Sequence, residues 1–333
     1  MARAGRPPSS VEVARLAGVS QSAVSRTFTP GACVSAETRA KVLAAAEALG
    51  YRPNLIPRIM LTDRSGIVAV VVGSLANPYH ARALEAFSRT LQEAGKQVML
   101  VQAGTERALG TAVDTLAGYR VDAVVSALEV VSPDVVAAID RTRVPVVTLN
   151  SALTGAWSAT VTSDNAAAGE RVARLLHARG GTRFGYIAGP ADSLSQVQRE
   201  AGFRRGLAAL GVPLSARGQG DYGHGAGYVA ARAMFAGPDR PDALFCANDL
   251  TAIGAIDALR AEFGLEVPRD VMVAGYDNVE AAGWAAYGLT TFDQRIDRMV
   301  ALAVGLLEGE WAGGTSRAVE PELVERASTR LPA

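Results

Sequence analysis

Cysteine and histidine are scarce in this chain of 333 residues, and long apolar runs are missing. Two cysteines, Cys33 and Cys246, make no disulfide framework, which points to a reduced, cytoplasmic setting. Three histidines, His80, His177 and His224, are scattered without metal-ligand spacing, so neither a metal site nor a cofactor is expected. The opening MARAGRPPSS is basic but leads into no apolar stretch, unlike a secretory signal. Apolar runs near 67–73 and 121–128 are too short to cross a bilayer, so no membrane partner is expected.

What the chain does have is apolar content, 49%, enough for large cores and far from a disordered composition. Its length predicts two or three domains. The formal net charge is zero, yet the first 64 residues carry nine Lys and Arg against four Asp and Glu, a surplus of five that the remainder balances. A basic head on an acidic body suggests that the head meets a polyanion, although a solvated surface reads equally well on charge alone.

In the head, SSVEVARLA sets Ser9 three residues before Glu12, a capping box that predicts a helix from about Val11 to Ala17. Gly18 can end it in the left-handed conformation. Ser20 can cap a second helix, Gln21 to about Phe28, and Ser35 a third, Ala36 to Leu49, which Gly50 stops. Val13, Leu16, Val19, Val24, Val42 and Leu49 are the expected core. Two helices joined by a tight glycine turn and braced by a third make a helix-turn-helix. The second helix would face outward with Gln21, Ser22, Ser25 and Arg26. Small side chains let it sink into a major groove, where Gln pairs with adenine and Arg with guanine.

The body alternates in the βαβ manner. GIVAVVV, QVMLVQA, DAVVSAL and VPVVTLN form one series of buried strands, and RFGYIAG, ALFCAND and VMVAGYD a second, with helix-like stretches between. Two series predict two doubly wound parallel-sheet subdomains. Ligands bind beyond the carboxyl ends of such strands, which singles out 74–79, Asn150, 189–199, 248–249 and 276–277. These offer carboxylates, amides, an arginine and aromatics but no nucleophile–base pair, a chemistry suited to polyhydroxylated ligands and not to catalysis.

VARLAGVSQSAVSRTF, followed by VSAETRAKVLAAAEALGYRPN, closely resembles the headpiece of the LacI/GalR family of bacterial transcription regulators, and the likeness continues over nearly the whole chain. The resemblance implies that Gln21, Ser22 and Arg26 read bases, and that Ser20, Ser25, Thr29, Ser35 and Thr38 hold phosphates. Thr29 stands where the family usually has Asn, and Cys33 at a variable position. The segment LIPRIMLTDRSG then corresponds to a hinge helix, with Asn54 at its cap and Met60 as the wedge that pries a base step. Pro57 replaces the usual alanine and disfavours helical geometry at Ile56. In the body, NPY at 77–79 matches a family turn. Positional match makes Asn77, Tyr79, Asn150, Arg199, Tyr222, Asn248, Asp277 and Gln294 the ligand-binding set, with Asn150 where Asp is frequent. Asp164 reads as a crossover or cap residue.

GQGDYG at 218–223 fits G-x-G-x-x-G, but GVPLSAR before it reads as a poor strand, so a dinucleotide site is not expected. The expected organisation is a headpiece over 1–53, a hinge over 54–65 and a ligand-binding and dimerisation body over 66–333. Subdomain 1 would span about 66–162 and 291–320, and subdomain 2 about 163–290 and 321–333, a type I periplasmic-binding-protein-like body. The function expected is an effector-controlled DNA-binding regulator, a repressor, homodimeric on a pseudo-palindromic operator, with a sugar or related polyol as effector. The alternative is a cytoplasmic sugar-binding protein without productive DNA binding; an enzyme is third.

Overall fold

The computed structural model describes residues 8–29, 31–53, 64–152 and 154–329, and divides into two compact units, Met1–Ser65 and Gly66–Ala333. Asn54, Pro57 and Met60 lie outside the described residues.

The first unit holds three helices, α1 (Ser10–Ala17), α2 (Gln21–Thr27) and α3 (Ala36–Leu49). Local chemistry sets each boundary. The Ser9–Glu12 box is complete, with Ser9 N donating to Glu12 Oε2 at 2.7 Å and Glu12 N to Ser9 Oγ at 3.4 Å. Ser20 and Ser35 cap α2 and α3, and Gly18 and Gly50 end α1 and α3 at φ of 63° and 64°. Val13, Val24 and Val42 are fully buried, joined by Ala14, Ala45 and Ala46. Leu16 and Leu49, expected in this core, are 57% and 37% exposed. At about 100° per residue Leu16 lies on the far side of α1 from Ala14. Near the end of α3, Phe28 and Tyr51 fill the core instead, their rings 5.8 Å apart.

In the second unit, β1 (Ile67–Val72), α4 (Pro78–Glu93), β2 (Gln97–Gln102), α5 (Glu106–Gly118), β3 (Ala123–Ser126), α6 (Pro133–Thr142), β4 (Val146–Leu149) and β5 (Ser158–Ser163) build the first sheet. The second follows with α7 (Asn165–Ala178), β6 (Phe184–Ala188), α8 (Leu194–Ala209), β7 (Leu214–Gln219), α9 (His224–Phe235), β8 (Ala243–Cys246), α10 (Asp249–Phe263) and β9 (Met272–Ala274). The chain then runs through β10 (Thr291–Asp293), α11 (Ile296–Glu308), β11 (Ser316–Val319) and β12 (Glu322–Val324).

The sheet orders are β11-β5-β4-β3-β1-β2 and β7-β6-β8-β9, parallel throughout, while β10 and β12 pair antiparallel on their own. Each sheet thus reverses direction beside its first strand, between β1 and β3 and between β6 and β8. Those switch points open the crevices where α/β sheets take ligands. The chain crosses between the two lobes three times. It leaves β5 for α7, which packs under the second sheet; it returns through β10 to α11, whose Ile296, Met299 and Val300 pack on the first; and it goes back after β11 to Ser328, which accepts from Val273 N at 3.0 Å.

Every expected strand run forms a strand. β5, β7, β10, β11 and β12 were not expected, and β7 corrects the reading of GVPLSAR as a poor strand: LSARGQ is a sheet edge, half exposed, so its polarity is no obstacle. Paired helices in the second lobe approach closely at glycines. A Cβ on Gly202 of α8 would lie 2.0 Å from the Ala166 carbonyl of α7, and one on Gly254 of α10 would lie 2.0 Å from the His224 carbonyl of α9.

Candidate functional site

On the first unit, α2 turns Val24 and Thr27 inward and leaves Gln21, Ser22, Ser25 and Arg26 exposed, the face expected to meet a groove. These side chains are lightly tethered. Gln21 Nε2 donates to Ser10 Oγ at 3.0 Å, and Arg26 Nε to the Ser22 carbonyl at a long 3.4 Å. Ser20 and Ser22 hydroxyls share a 2.9 Å contact; Thr29 Oγ1 donates to the Ser25 carbonyl at 2.9 Å and Ser35 Oγ to Thr38 Oγ1 at 2.8 Å. Ser20, Thr29, Ser35 and Thr38 flank the same helix, three of them at helix starts, where N–H groups face outward and suit phosphate. Arg39 Nη1 donates to the Thr27 carbonyl at 3.1 Å and pins α2 to α3.

The second unit holds a cavity of about 320 Å³ between its two sheets. All eight residues of the expected ligand set line it. From the first lobe come Asn77, Tyr79 and Asn150; from the second, Arg199, Tyr222, Asn248 and Asp277; from the crossover, Gln294. Each position follows from the topology. Asn77 caps α4 after β1, with its Oδ1 accepting from Tyr79 N at 3.1 Å. Asn150 follows β4, Asp277 follows β9, and Tyr222 follows β7, with φ of 58°, 113° and 70°. Left-handed conformations at non-glycine residues are uncommon and cluster where side chains must be aimed.

The polar groups are buried and tied to one another. Asn150 Nδ2 donates to Tyr79 Oη at 3.2 Å and to Gln294 Oε1 at 3.1 Å, while Asn150 Oδ1 accepts from Ser163 N at 2.9 Å. Gln294 Nε2 donates onward to Asp277 Oδ1 at 2.6 Å. This chain runs from the first lobe through the crossover into the second. Arg199 Nε donates to Asn165 Oδ1 at 2.8 Å and Nη1 to the Ala247 carbonyl at 2.6 Å, and the guanidinium lies 3.6 Å over the Tyr276 ring. Asn248 has a second duty: its Oδ1 caps α10, and its Nδ2 donates to the Tyr222 carbonyl at 3.0 Å, fixing the turn that carries that ring.

Burial governs the electrostatics. It pushes the Asp277 carboxyl up to about 6, with Arg199 and the Gln294 amide opposing. It raises the Tyr79 and Tyr222 phenols well beyond their usual range, so both are neutral hydroxyls. Burial also works against the Arg199 charge, but the Asp277 carboxylate and the face of the Tyr276 ring oppose it and the guanidinium stays charged. His80, also at the cavity wall, is pushed down to about 4 by burial. The result is a firm set of donors and acceptors between aromatic faces.

Asp164, read as a crossover or cap residue, caps α7 through Oδ1 to Ala167 N at 3.0 Å. In GQGDYG the carboxylate of Asp221 accepts from Gly223 N at 2.8 Å, a tight turn just before α9, whose own start carries no side-chain cap. Among the described residues no group of three His, Cys, Asp or Glu could hold a metal ion, and no helix is long and apolar enough to cross a membrane.

Residues outside the expected set also line the cavity, chiefly Glu129, Ser193 and Ser195. Glu129 follows β3, and the strand-end rule applied to DAVVSAL would have found it. Its carboxylate accepts from Leu194 N at 2.8 Å, Ser195 N at 3.3 Å and the hydroxyls of Ser193 and Ser195.

Comparisons with known proteins agree with this geometry. Residues 11–54 match the model of the bacterial regulatory proteins, lacI family, and residues 173–329 that of the periplasmic binding protein-like domain. The chain is 31% identical to the ribose operon repressor of Escherichia coli K12, over 89% of this chain and 91% of that protein. It is equally 31% identical to the HTH-type transcriptional repressor PurR of Escherichia coli O139:H28, over 95% of each. Its structure superposes on the lac repressor dimer bound to operator and the anti-inducer ONPF with a TM-score of 0.89 at 27% identity, covering 98% of this chain and 100% of that one. A complex of the transcriptional regulator CelR with cellobiose gives 0.69 at 31% identity, covering 96% and 99%. These relatives are transcription regulators and not enzymes. A helix-turn-helix head, two doubly wound lobes and a buried polar cleft between them, matched along their full length, mean that this chain belongs to the lacI family of bacterial regulatory proteins, DNA-binding transcription regulators governed by small molecules.

Proposed function

We propose that the chain is a cytoplasmic, homodimeric repressor whose effector, a sugar or related polyol, binds in the cavity between the two lobes of residues 66–333. Gln21, Ser22 and Arg26 read operator bases; Ser20, Ser25, Thr29, Ser35 and Thr38 hold phosphates. Asn54 and Met60 are assigned to the hinge. The body divides into subdomain 1, about 66–162 and 291–320, and subdomain 2, about 163–290 and 321–333. Relatives that bear the names of ribose and purine repressors, and the cellobiose complex of CelR, support a small polar effector.

The observation that carries this reading is the convergence of Tyr79, Asn150, Arg199, Tyr222, Asp277 and Gln294 on one cavity of about 320 Å³. That is near the lower end of ligand pockets, which run from roughly 300 to 1,000 Å³. It suits a monosaccharide-sized molecule whose hydroxyls meet Asp277 and the amides while its apolar face meets the tyrosine rings. The test is a thermal-shift screen of neutral sugars, sugar acids, polyols and nucleosides on the wild type and Asp277→Ala. A compound at 100 times its Kd stabilises the body by about 2.7 kcal/mol, and that gain is expected to vanish in Asp277→Ala. A compound that stabilises both equally binds elsewhere.

A further inference from the structure

In the wall of the cleft, Glu129 of the first lobe reaches the first turn of α8 in the second. Its two oxygens collect two backbone N–H groups and two hydroxyls, all from 193–195. Ser193 also shares a 2.7 Å hydrogen bond with Tyr222 Oη, so the dock touches a ring that lines the cavity. An anion at a helix start is favoured by the unpaired N–H groups and by the helix dipole. Here the chain supplies that anion across the cleft, from a residue 65 positions away from Leu194. Asp192 and Asp277 also line the cavity, against the single guanidinium of Arg199 among these named groups.

We propose that Glu129 is a specificity-determining latch: its carboxylate joins the two lobes across the cleft and occupies the start of α8, one of the helix starts that line it, so the cleft selects uncharged polyhydroxylated ligands over sugar phosphates and sugar acids. The selectivity part rests on reading the cavity as the effector site. The latch itself does not, and the two fail separately.

The experiment measures amide exchange at Leu194 and Ser195 in the full-length protein, with inorganic phosphate as the anionic probe and chloride at equal ionic strength as the control. In the wild type both amides exchange slowly and phosphate changes nothing. Glu129→Ala is expected to speed both by roughly two- to thirtyfold, the range lost with a helix cap, and phosphate is expected to slow them again in this variant only. Ser195→Ala, which removes one hydroxyl of the dock, gives a smaller acceleration and covers the case in which Glu129→Ala does not fold. Unchanged exchange in Glu129→Ala, or in Ser195→Ala if the former is unfolded, overturns the latch. Slowing by phosphate in the wild type overturns the selectivity. A neutral sugar that stabilises the wild type and Asp277→Ala alike refutes the cavity reading and leaves the exchange result standing.

Discussion

The head and the cleft use the same kinds of side chain in opposite ways. On α2, Gln21, Ser22, Ser25 and Arg26 stand in solvent and touch mainly their own helix or its neighbour. In the cleft, Asn150, Arg199, Asn248, Asp277 and Gln294 are all at most 6% exposed, and each is tied to another element by hydrogen bonds or charge. A groove reader must deliver its polar groups bare to bases that carry their own partners. A ligand pocket must hold its groups in place before the ligand arrives, because buried polar atoms without partners are costly. Substitution on this face of α2 should therefore alter binding and spare stability; substitution in the cleft should alter both.

The largest effect expected is at Arg199. Arg199→Ala leaves Asp277 buried without its guanidinium and strips partners from Asn165 and the Ala247 carbonyl. Leaving those two buried acceptors without their donor costs about 1–3 kcal/mol each, read as a fall in the denaturation midpoint of the body. A loss below about 1 kcal/mol would put Arg199 in the class of the head residues and break the comparison.

Asp277 tests the same burial through pH. Its folded carboxyl is raised to about 6 from 3.8, so the folded state binds this proton more tightly than the unfolded chain. The associated stability is present in full below about pH 4 and is lost as pH rises through 6. Asp277→Asn keeps an acceptor for Gln294 and removes the charge. It is expected to stabilise the apo protein by roughly 2–3 kcal/mol at pH 8 and by almost nothing at pH 4. Melting curves across that range check it; a gain that is flat with pH contradicts it.

In the head, Arg26→Ala is expected to cost about 1–3 kcal/mol on operator while leaving the melting of the body unchanged. Equal weakening on operator and random DNA would make Arg26 a phosphate contact instead. The smallest effect is at Ser9. Ser9→Ala removes the cap of α1 and should cost about 1 kcal/mol of head stability, visible as increased exchange at the start of α1.

Much of this was legible in the sequence because the signals are local. Ser9, Ser20, Ser35, Gly18 and Gly50 each act within a few residues, and all five mark helix ends. Continuous apolar runs such as IVAVVV and ALFC leave little choice but a buried strand. β5 was not legible because SATVTS is polar; its hydroxyls bond the backbone inside the sheet, as Thr160 Oγ1 does to the Thr148 carbonyl at 3.2 Å. Leu16 and Leu49 misled because hydrophobicity does not reveal which face of a short helix is covered. The cavity wall was visible wherever a strand end could be counted. The docking of Glu129 on α8 and the seating of Gly202 on Ala166 depend on tertiary pairs that no local pattern marks.

The central claim is that a cleft in the body governs a DNA reader in the head. Thermodynamic linkage makes the two binding events reciprocal, typically by 1–3 kcal/mol. The direct measurement is operator affinity titrated with a polyol found in the screen, for the wild type and Asp277→Ala side by side. The account predicts a shift of about five- to 150-fold in the wild type, and an unshifted but still tight operator affinity in Asp277→Ala. An identical ligand-dependent shift in both proteins would contradict it.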